Sequence, residues 1–516
     1  MTLVNGSPSV ILKNITKLIK KKVPKDSADL VSQFTNLLYN NISTMDLSDR
    51  NESDMYGATL SLWSSLNQHK DNHPIINVFN PSVSKHGWKS SHTIIEVIVN
   101  DMPFLVDSIR IALNRLGLSP HLILNSPLKI VRDENNEIID IASSIEDLKN
   151  PTSEETVFFI EIDCQTGKIE LDNIKNELLS VVQDITLTVN DWQPMLKQLN
   201  STIVEVKNSQ LPGGKQAKAD TLGFLEWLVN NNFTLMGYRS YDVKAVKGDI
   251  KLEPNINSSL GLMKNSHNTK PMLVSSLNES GRDLALGKNH LVLTKTNSKS
   301  RVHRPVQLDY IGVKRFNSTG KVIGEDRFIG LFGSSYYTNS ALDLPLIKSK
   351  VQQVCASSGF AQGSHAFKTL INILETYPRD EILQSSVAEL LKNVMGILQM
   401  QERDYSGLFV RRDAFDRFYS CMVYVPRERY NTKLRIETQQ LLQEAFGSDE
   451  EVVFTTYFSE SVQARTHYIV KVNSTKADIN VKEIENNLNE AARSWDDKLV
   501  SSLVANKGEV AAKALS

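Results

Sequence analysis

With 516 residues and 41% hydrophobic content, the chain can bury several cores, and at about 100–200 residues per domain it is expected to fold as several units rather than one. Lys plus Arg total 58 against 59 for Asp plus Glu, and this net charge of −1 excludes a global attraction to nucleic acid or to an anionic membrane. Cys164, Cys355 and Cys421 lie far apart with no CxxC spacing, no apolar run reaches the roughly 18–20 residues of a membrane span, and no signal-peptide h-region opens the chain; a cytoplasmic protein without disulfides or structural zinc is expected.

The chain opens with Lys20–Lys22, a run shorter than the roughly 4–8 basic residues of a lipid-reading cluster, which reads as a solvated helix end. Asp26 to Asn40 then carries Leu30, Val31, Phe34, Leu37 and Leu38 at helical spacing, and a second helix is expected over Met55 to Gln68. Residues 1–89 are accordingly expected to be a helical segment.

The stretch from His92 to Leu118 organises the next domain. Thr93 to Val99 is almost continuously apolar and rich in β-branched residues, the pattern of a strand buried on both faces. Asp101 is placed to cap a helix with Pro103 in its first turn, and Leu105, Ile109, Ala112, Leu113 and Leu116 line one face before Gly117 ends it. Strands at His121–Val131, Glu137–Ala142 and Thr156–Asp163 and a helix at Leu171–Ile185 complete a β-α-β-β order, expected to form a ferredoxin-like sheet with one face covered by two helices. A helix from Trp192 to Val206 leads out, so this domain is bounded at 90–207.

Residues 208–220, NSQLPGGKQAKAD, read as a linker, because Pro212-Gly-Gly-Lys215 lacks the strand and the Ser/Thr of a phosphate loop. Asp220 is then expected to cap a helix, and Phe233–Val243, His290–Thr296, Val306–Phe316 and Val322–Phe332 are strands, the last two joined by a turn at Asn317–Gly320. An antiparallel sheet domain is thus expected over 221–340. Lys295, Lys299, Arg301, His303, Arg304, Lys314 and Arg315 crowd its turns and edges, where they form a candidate anion or interface site or serve as edge protection and salt-bridge partners. His303 has no second ligand at metal spacing. Residues 341–404 are expected to be helical, with one long helix from Asp380 to Arg403 whose seam is Leu383, Val387, Leu390, Val394 and Ile397. Strands, helices and strands recur over 405–500 in the same β-α-β-β-α order, with Leu408–Arg412 free to supply a further strand, and 501–516 is a tail. The fold class is α+β and multidomain.

No GxGxxG follows a strand, and neither HExxH, GxSxG nor a kinase signature occurs, so the residues alone point to regulation or assembly. Six segments in order, VNDMPFLVDSIRIALNRLGL, FLEWLVNNNFTLMGYRSYDV, SRVHRPVQLDYIGVKRFNSTGKVIGEDRFIGLF, ILETYPRDEILQ, LFVRRDAFDRFYSCMVYVPRERYNTKLR and FSESVQARTHYIVKV, resemble the N-terminal half of the large-subunit NAD-specific glutamate dehydrogenases. The resemblance, from about residue 30 to the end, implies ACT-like domains near 90–190 and 405–500, a PAS-like domain near 290–335, and a dehydrogenase domain beyond the end of this chain. No catalytic or cofactor-binding residue is then expected here, and NAD belongs to the complete enzyme.

Amino-acid-binding ACT domains carry Asp-x-Pro-Gly-Leu after their first strand, which makes Asn100, Asp101, Phe104 and Leu105 the candidate effector loop. Phe104 stands where the glycine would be, and its ring is expected to fill the ligand space. The resemblance implies a regulatory and oligomerisation region of the dehydrogenase, in a homo-oligomer, with the catalytic domain in cis or on a separate chain as partner. The alternative is a freestanding amino-acid or anion sensor acting on another protein. Neither reading involves nucleic acid or a membrane.

Overall fold

The computed structural model describes residues 8–40, 42–43, 46, 50–70, 73–143, 151–209, 212–246, 248–265, 270–400, 405–457, 462–472, 479–493 and 495–507. Residues 508–516 of the expected tail, and Gln401 to Arg403 of the expected 380–403 helix, lie outside them. The chain divides into two compact units, one of residues 1–193 with 260–264 and 298–307, the other of 194–259, 265–297 and 308–516.

The first unit is built on a five-stranded antiparallel sheet in the order β1-β2-β5-β3-β4, comprising β1 (Ile75–Phe79), β2 (Thr93–Asn100), β3 (Pro120–Arg132), β4 (Ile138–Ala142) and β5 (Ser153–Ile162). β1 comes from the segment expected to be helical throughout. Its five residues, IINVF, are too few to show a period, and they become a strand by pairing with β2, Ile75 opposite Ile98 and Phe79 opposite Ile94. The sheet is also covered on both faces rather than one. Ile94, Ile98, Leu124, Ile130, Val157 and Phe159 share a core with the helices Pro8–Lys22, Lys25–Tyr39 and Glu52–Gln68, through Ile15, Phe34, Leu38, Leu62 and Leu66. The alternate residues Ile95, Val97, Phe158 and Ile160 face the opposite side and are equally buried, as are Ile109 and Ala112 of the helix Leu105–Arg115 and Leu178, Val181 and Ile185 of the helix Lys168–Asn190. The expectation that β2 is buried on both faces holds.

In the second unit, the expected linker is largely helical. A helix runs from Gly214 to Trp227 after two glycines at φ 87° and 82°, and Asp220 lies inside it instead of capping it. Phe332 stacks on Tyr336 at 4.1 Å between ring centroids and meets Trp227 and Phe224 at 6.1 and 6.4 Å, which ties that helix to the sheet behind it. That sheet runs β10-β11-β12-β6-β7-β9, where β6 is Phe233–Val246, β7 Asp249–Pro254, β9 Met272–Leu273, β10 Leu291–Lys299, β11 Gln307–Phe316 and β12 Val322–Phe332; the two-residue strand β8 (Leu260–Gly261) belongs with the first unit. Asn317 accepts the N–H groups of Thr319 and Lys321 in the turn that joins β11 to β12.

The short helix Ser334–Thr338 and then Ile347–Ser357, His365–Thr376, Arg379–Gln384 and Val387–Met400 follow. The long helix expected from Asp380 is broken at Ser385–Ser386, because Ser386 and Glu389 form a capping box: the Ser386 hydroxyl accepts the Glu389 N–H at 3.2 Å and the Glu389 carboxylate accepts the Ser386 N–H at 2.9 Å. Its seam is spent within the chain, since Leu390, Val394 and Ile397 are buried and their helix packs on Ile347–Ser357 and His365–Thr376. The last sheet runs β13-β14-β16-β15, with β13 Gly407–Arg412, β14 Phe418–Pro426, β15 Val453–Tyr457 and β16 Gln463–Lys471. The early strand β13 pairs with β14, as its position in the chain led one to expect. The helices Thr432–Phe446, ended by Gly447 at φ 67°, and Val481–Ala492 cover one face through Leu434, Leu442, Phe446, Ile484 and Leu488.

Candidate effector site

The candidate effector loop leaves β2 at Asn100, whose side-chain oxygen is buried without a partner. Asp101 does not cap the next helix. Its backbone N–H donates to the Glu154 carbonyl at 2.8 Å and its carboxylate accepts the Thr156 hydroxyl at 2.5 Å, so the residue closes the loop onto β5. The helix begins only at Leu105, after Phe104 in the left-handed conformation at φ 74°. A side chain in that region carries a cost of about 1–2 kcal/mol that glycine would not. The ring lies 4.9 Å from the His303 ring, and His303 is itself left-handed at φ 67°. The Ser108 hydroxyl ties the two together, donating to the Phe104 carbonyl at 2.6 Å while accepting the His303 N–H at 3.1 Å. Beside the ring remains a cleft of about 170 Å³ lined by Asp101, Phe104, Leu105, Asn125 and Thr156. That is smaller than the roughly 300–1,000 Å³ of typical small-molecule pockets.

The five candidate cations are divided between the two units. Arg301, His303 and Arg304 lie in the 298–307 connection, which belongs to the first unit, and Lys314 and Arg315 on β11 belong to the second. Arg301 lies 3.5 Å from the Asp184 carboxylate and 3.9 Å from that of Glu177, His303 lies 3.5 Å from Asp107, and Arg304 holds a tight turn through its carbonyl to the Val306 N–H. Lys314 is buried at 2% exposure, donates to the Gly287 carbonyl at 2.9 Å and stands opposite Glu325; burial brings its amine down to about 8. Arg315 donates to the Tyr241 carbonyl and to Asp242 at 2.9 and 2.8 Å. Arg301, His303 and Arg315 thus stand beside carboxylates, as a salt-bridge role requires, while Lys314 rests on a carbonyl. Among the described residues no group of His, Cys, Asp and Glu is arranged to hold a metal.

Sequence reasoning missed the buried ion networks of the second unit. The Lys295 amine lies 2.5 Å from Asp309 and 2.9 Å from Asp380, and burial pushes the Asp309 carboxyl up to about 6 although the ammonium opposes it. Glu381 takes a two-pronged bond from Arg411, both contacts at 2.8 Å, and lies 3.7 Å from His467; burial alone would raise its pKa, but the guanidinium holds it down to about 2. No signal in the sequence marked this pair, since Arg411 lies opposite in phase to Leu408 and Val410 on β13, where a solvent-facing side chain is the ordinary expectation.

Comparison with known families matches three stretches of the chain to glutamate dehydrogenase models: the ACT1 domain at residues 34–178, helical motif 1 at 344–403 and the ACT2 domain at 407–496. The chain carries ACT and helical-motif domains of the glutamate dehydrogenase family. The first match starts in the N-terminal helices and passes through β1, in line with their shared core. Three relatives are named NAD-specific glutamate dehydrogenase: from Halomonas elongata, 36% identical over 98% of this chain and 31% of the relative; from Pseudomonas aeruginosa, 35% identical over 93% and 30%; and from Mycobacterium tuberculosis, 25% identical over 80% and 25%. The chain thus spans less than a third of the length of the curated relatives it matches. The crystal structure of PelD 158-CT from Pseudomonas aeruginosa covers 58% of the chain at 13% identity with a TM-score of 0.14, too low to inform the fold. Among the described residues no helix is long and apolar enough to cross a membrane.

Proposed function

We propose that this chain is the regulatory and assembly region of an NAD-dependent glutamate dehydrogenase, the complete enzyme oxidising L-glutamate with NAD and water to 2-oxoglutarate, ammonia and NADH. The observation that carries the reading is the order ACT1, helical motif 1, ACT2 within a chain that aligns almost end to end with about a third of two relatives of that name. The dehydrogenase segment is its partner, in cis or on a separate chain. We read the orders β1-β2-β5-β3, with β4 as an added edge, and β13-β14-β16-β15 as one ferredoxin-like arrangement used twice, and the sheet from β6 to β12 as PAS-like. The described strand pairs are antiparallel, and that favours assigning NAD to a parallel dinucleotide fold elsewhere in the enzyme.

Two measurements test this. Titration calorimetry of the isolated chain with NAD is expected to give no binding heat, and saturable binding would overturn the assignment of the cofactor to another segment. Light scattering at micromolar concentration is expected to give at least a dimer, and a clean monomer mass would remove the assembly role. The homo-oligomer does not need the helical seam, which is buried in the chain itself; a free sheet edge such as β15, with Val453, Phe454 and Tyr457 each about 40% exposed, is the better candidate.

A further inference from the structure

The second unit has a cavity of about 600 Å³, open to solvent on one side, that none of the expected sites includes. Its walls come from four parts of the unit: Gly213 and Thr221 at the start of and within the helix Gly214–Trp227, Leu291 and Leu293 of β10, Lys350 of the helix Ile347–Ser357, and Arg411 of β13. The volume lies within the roughly 300–1,000 Å³ of small-molecule sites, and its leucines and convergent polar groups fit their usual composition.

Charge identifies the ligand. Lys350 donates to three backbone carbonyls, Ile382 at 3.2 Å, Leu383 at 2.6 Å and Ser385 at 2.7 Å, which close the end of the helix Arg379–Gln384. These acceptors are neutral, and among the described residues no carboxylate forms an ion pair with it. Burial and the neighbouring Arg411 guanidinium lower its pKa to about 8, with Glu389 offsetting this only in part. Arg411 is matched by Glu381, and Asp413 on the same wall is matched by Arg417, with 2.8 and 2.7 Å contacts. Lys288 and Asp220 also line the cavity with opposite charges, so the Lys350 charge is the excess at its wall. Ser385, 2% exposed, also lines the cavity, and its hydroxyl has no protein partner. Lys350 is half-buried and its three N–H groups are all taken by the carbonyls, so it lends the cavity a positive charge while the Ser385 hydroxyl supplies the free donor.

We propose that the cavity binds a small organic or inorganic anion, with a carboxylate or phosphate group accepting the Ser385 hydroxyl within the field of the Lys350 charge. The site joins the PAS-like sheet edge, the helical motif and the second ACT domain, so an occupant would tie three elements of one unit together. It is separate from the 170 Å³ cleft of the effector loop, and it does not depend on the chain belonging to a dehydrogenase.

The test uses the whole 516-residue chain with inorganic phosphate, 2-oxoglutarate and L-glutamate as probes, read by titration calorimetry and melting temperature. At least one probe is expected to bind with one-to-one stoichiometry and raise the melting temperature. Phosphate alone would mark a site for a free or esterified phosphate, and either carboxylate would mark a site for organic acids. Lys350→Met is expected to weaken binding by about tenfold or more. Because Lys350 also holds a helix end, Ser349→Trp serves as the second variant, placing an indole in the cavity without touching the ions; it is expected to abolish binding while the chain stays folded by circular dichroism. Absence of binding by all three probes, or binding that survives Ser349→Trp, overturns the proposal.

Discussion

The first and second ACT regions share a strand order but cover the second face of the sheet in opposite ways. In the first, the sheet supplies buried carboxylates and the N-terminal segment supplies donors: Glu96 accepts the hydroxyls of Ser61 and Ser65 at 2.6 and 2.8 Å, Glu155 lies 2.7 Å from the His69 ring, and Glu161 takes both prongs of Arg50 at 2.6 and 2.7 Å. In the second, the helical motif supplies one carboxylate, Glu381, and the sheet supplies Arg411 and His467. Close packing accompanies the charge: a Cβ on Gly396 would lie 2.7 Å from the Phe409 ring of β13. Each sheet therefore accepts only helices of the complementary chemistry, and the two helical layers could not exchange places without leaving buried charges unpaired.

The sharpest way to break this contrast is Glu381→Gln. It leaves the Arg411 guanidinium buried without its counter-charge and is expected to cost about 3–5 kcal/mol in denaturant unfolding. A pH series checks the sign: the folded pKa of about 2 lies below the ordinary carboxylate value, so the stabilisation is present above the unfolded pKa and is lost as pH falls through about 4 to 2. The variant should flatten that acid limb, and an unchanged limb would show that the pair does not stabilise the fold.

Glu96→Gln probes the first sheet and is expected to cost less, about 1–3 kcal/mol, because the donors to Glu96 are neutral hydroxyls and an amide and no cation is stranded. A loss as large as that of Glu381→Gln would abolish the distinction between the regions.

The smallest effects separate the two helix starts. Asn431 caps its helix by accepting the Leu434 N–H at 2.9 Å, whereas Phe104 begins its helix with no side-chain cap and a strained backbone. Asn431→Ala is expected to destabilise by about 1 kcal/mol. Phe104→Gly should change stability by less than about 1 kcal/mol, relief of strain offsetting the lost ring contact. Phe104→Ala, which keeps the strain and loses the ring, should melt below Phe104→Gly; the reverse order would show that the backbone there is unstrained.

Local pattern alone was enough to mark most elements of this chain. The apolar, β-branched run of β2 reads as doubly buried, the Asn317–Gly320 turn reads as a hairpin, and Gly447 reads as a helix stop, since periodicity and backbone preference act over a few residues. The order of ACT1, helical motif and ACT2 was legible only through the resemblance of six segments to a known family. Tertiary structure alone decided the rest. Ile75–Phe79 is a strand only because β2 is beside it, the 298–307 connection belongs with the first unit because Ser108 and Asp184 receive it, and the Phe104 ring meets that of His303. Arg411, Glu381 and Lys350 look like surface charges in a sequence, because charge carries no signature of burial. Whether such a side chain meets water, a partner or a cavity depends on residues about 30 to 200 positions away, which only the folded chain brings near.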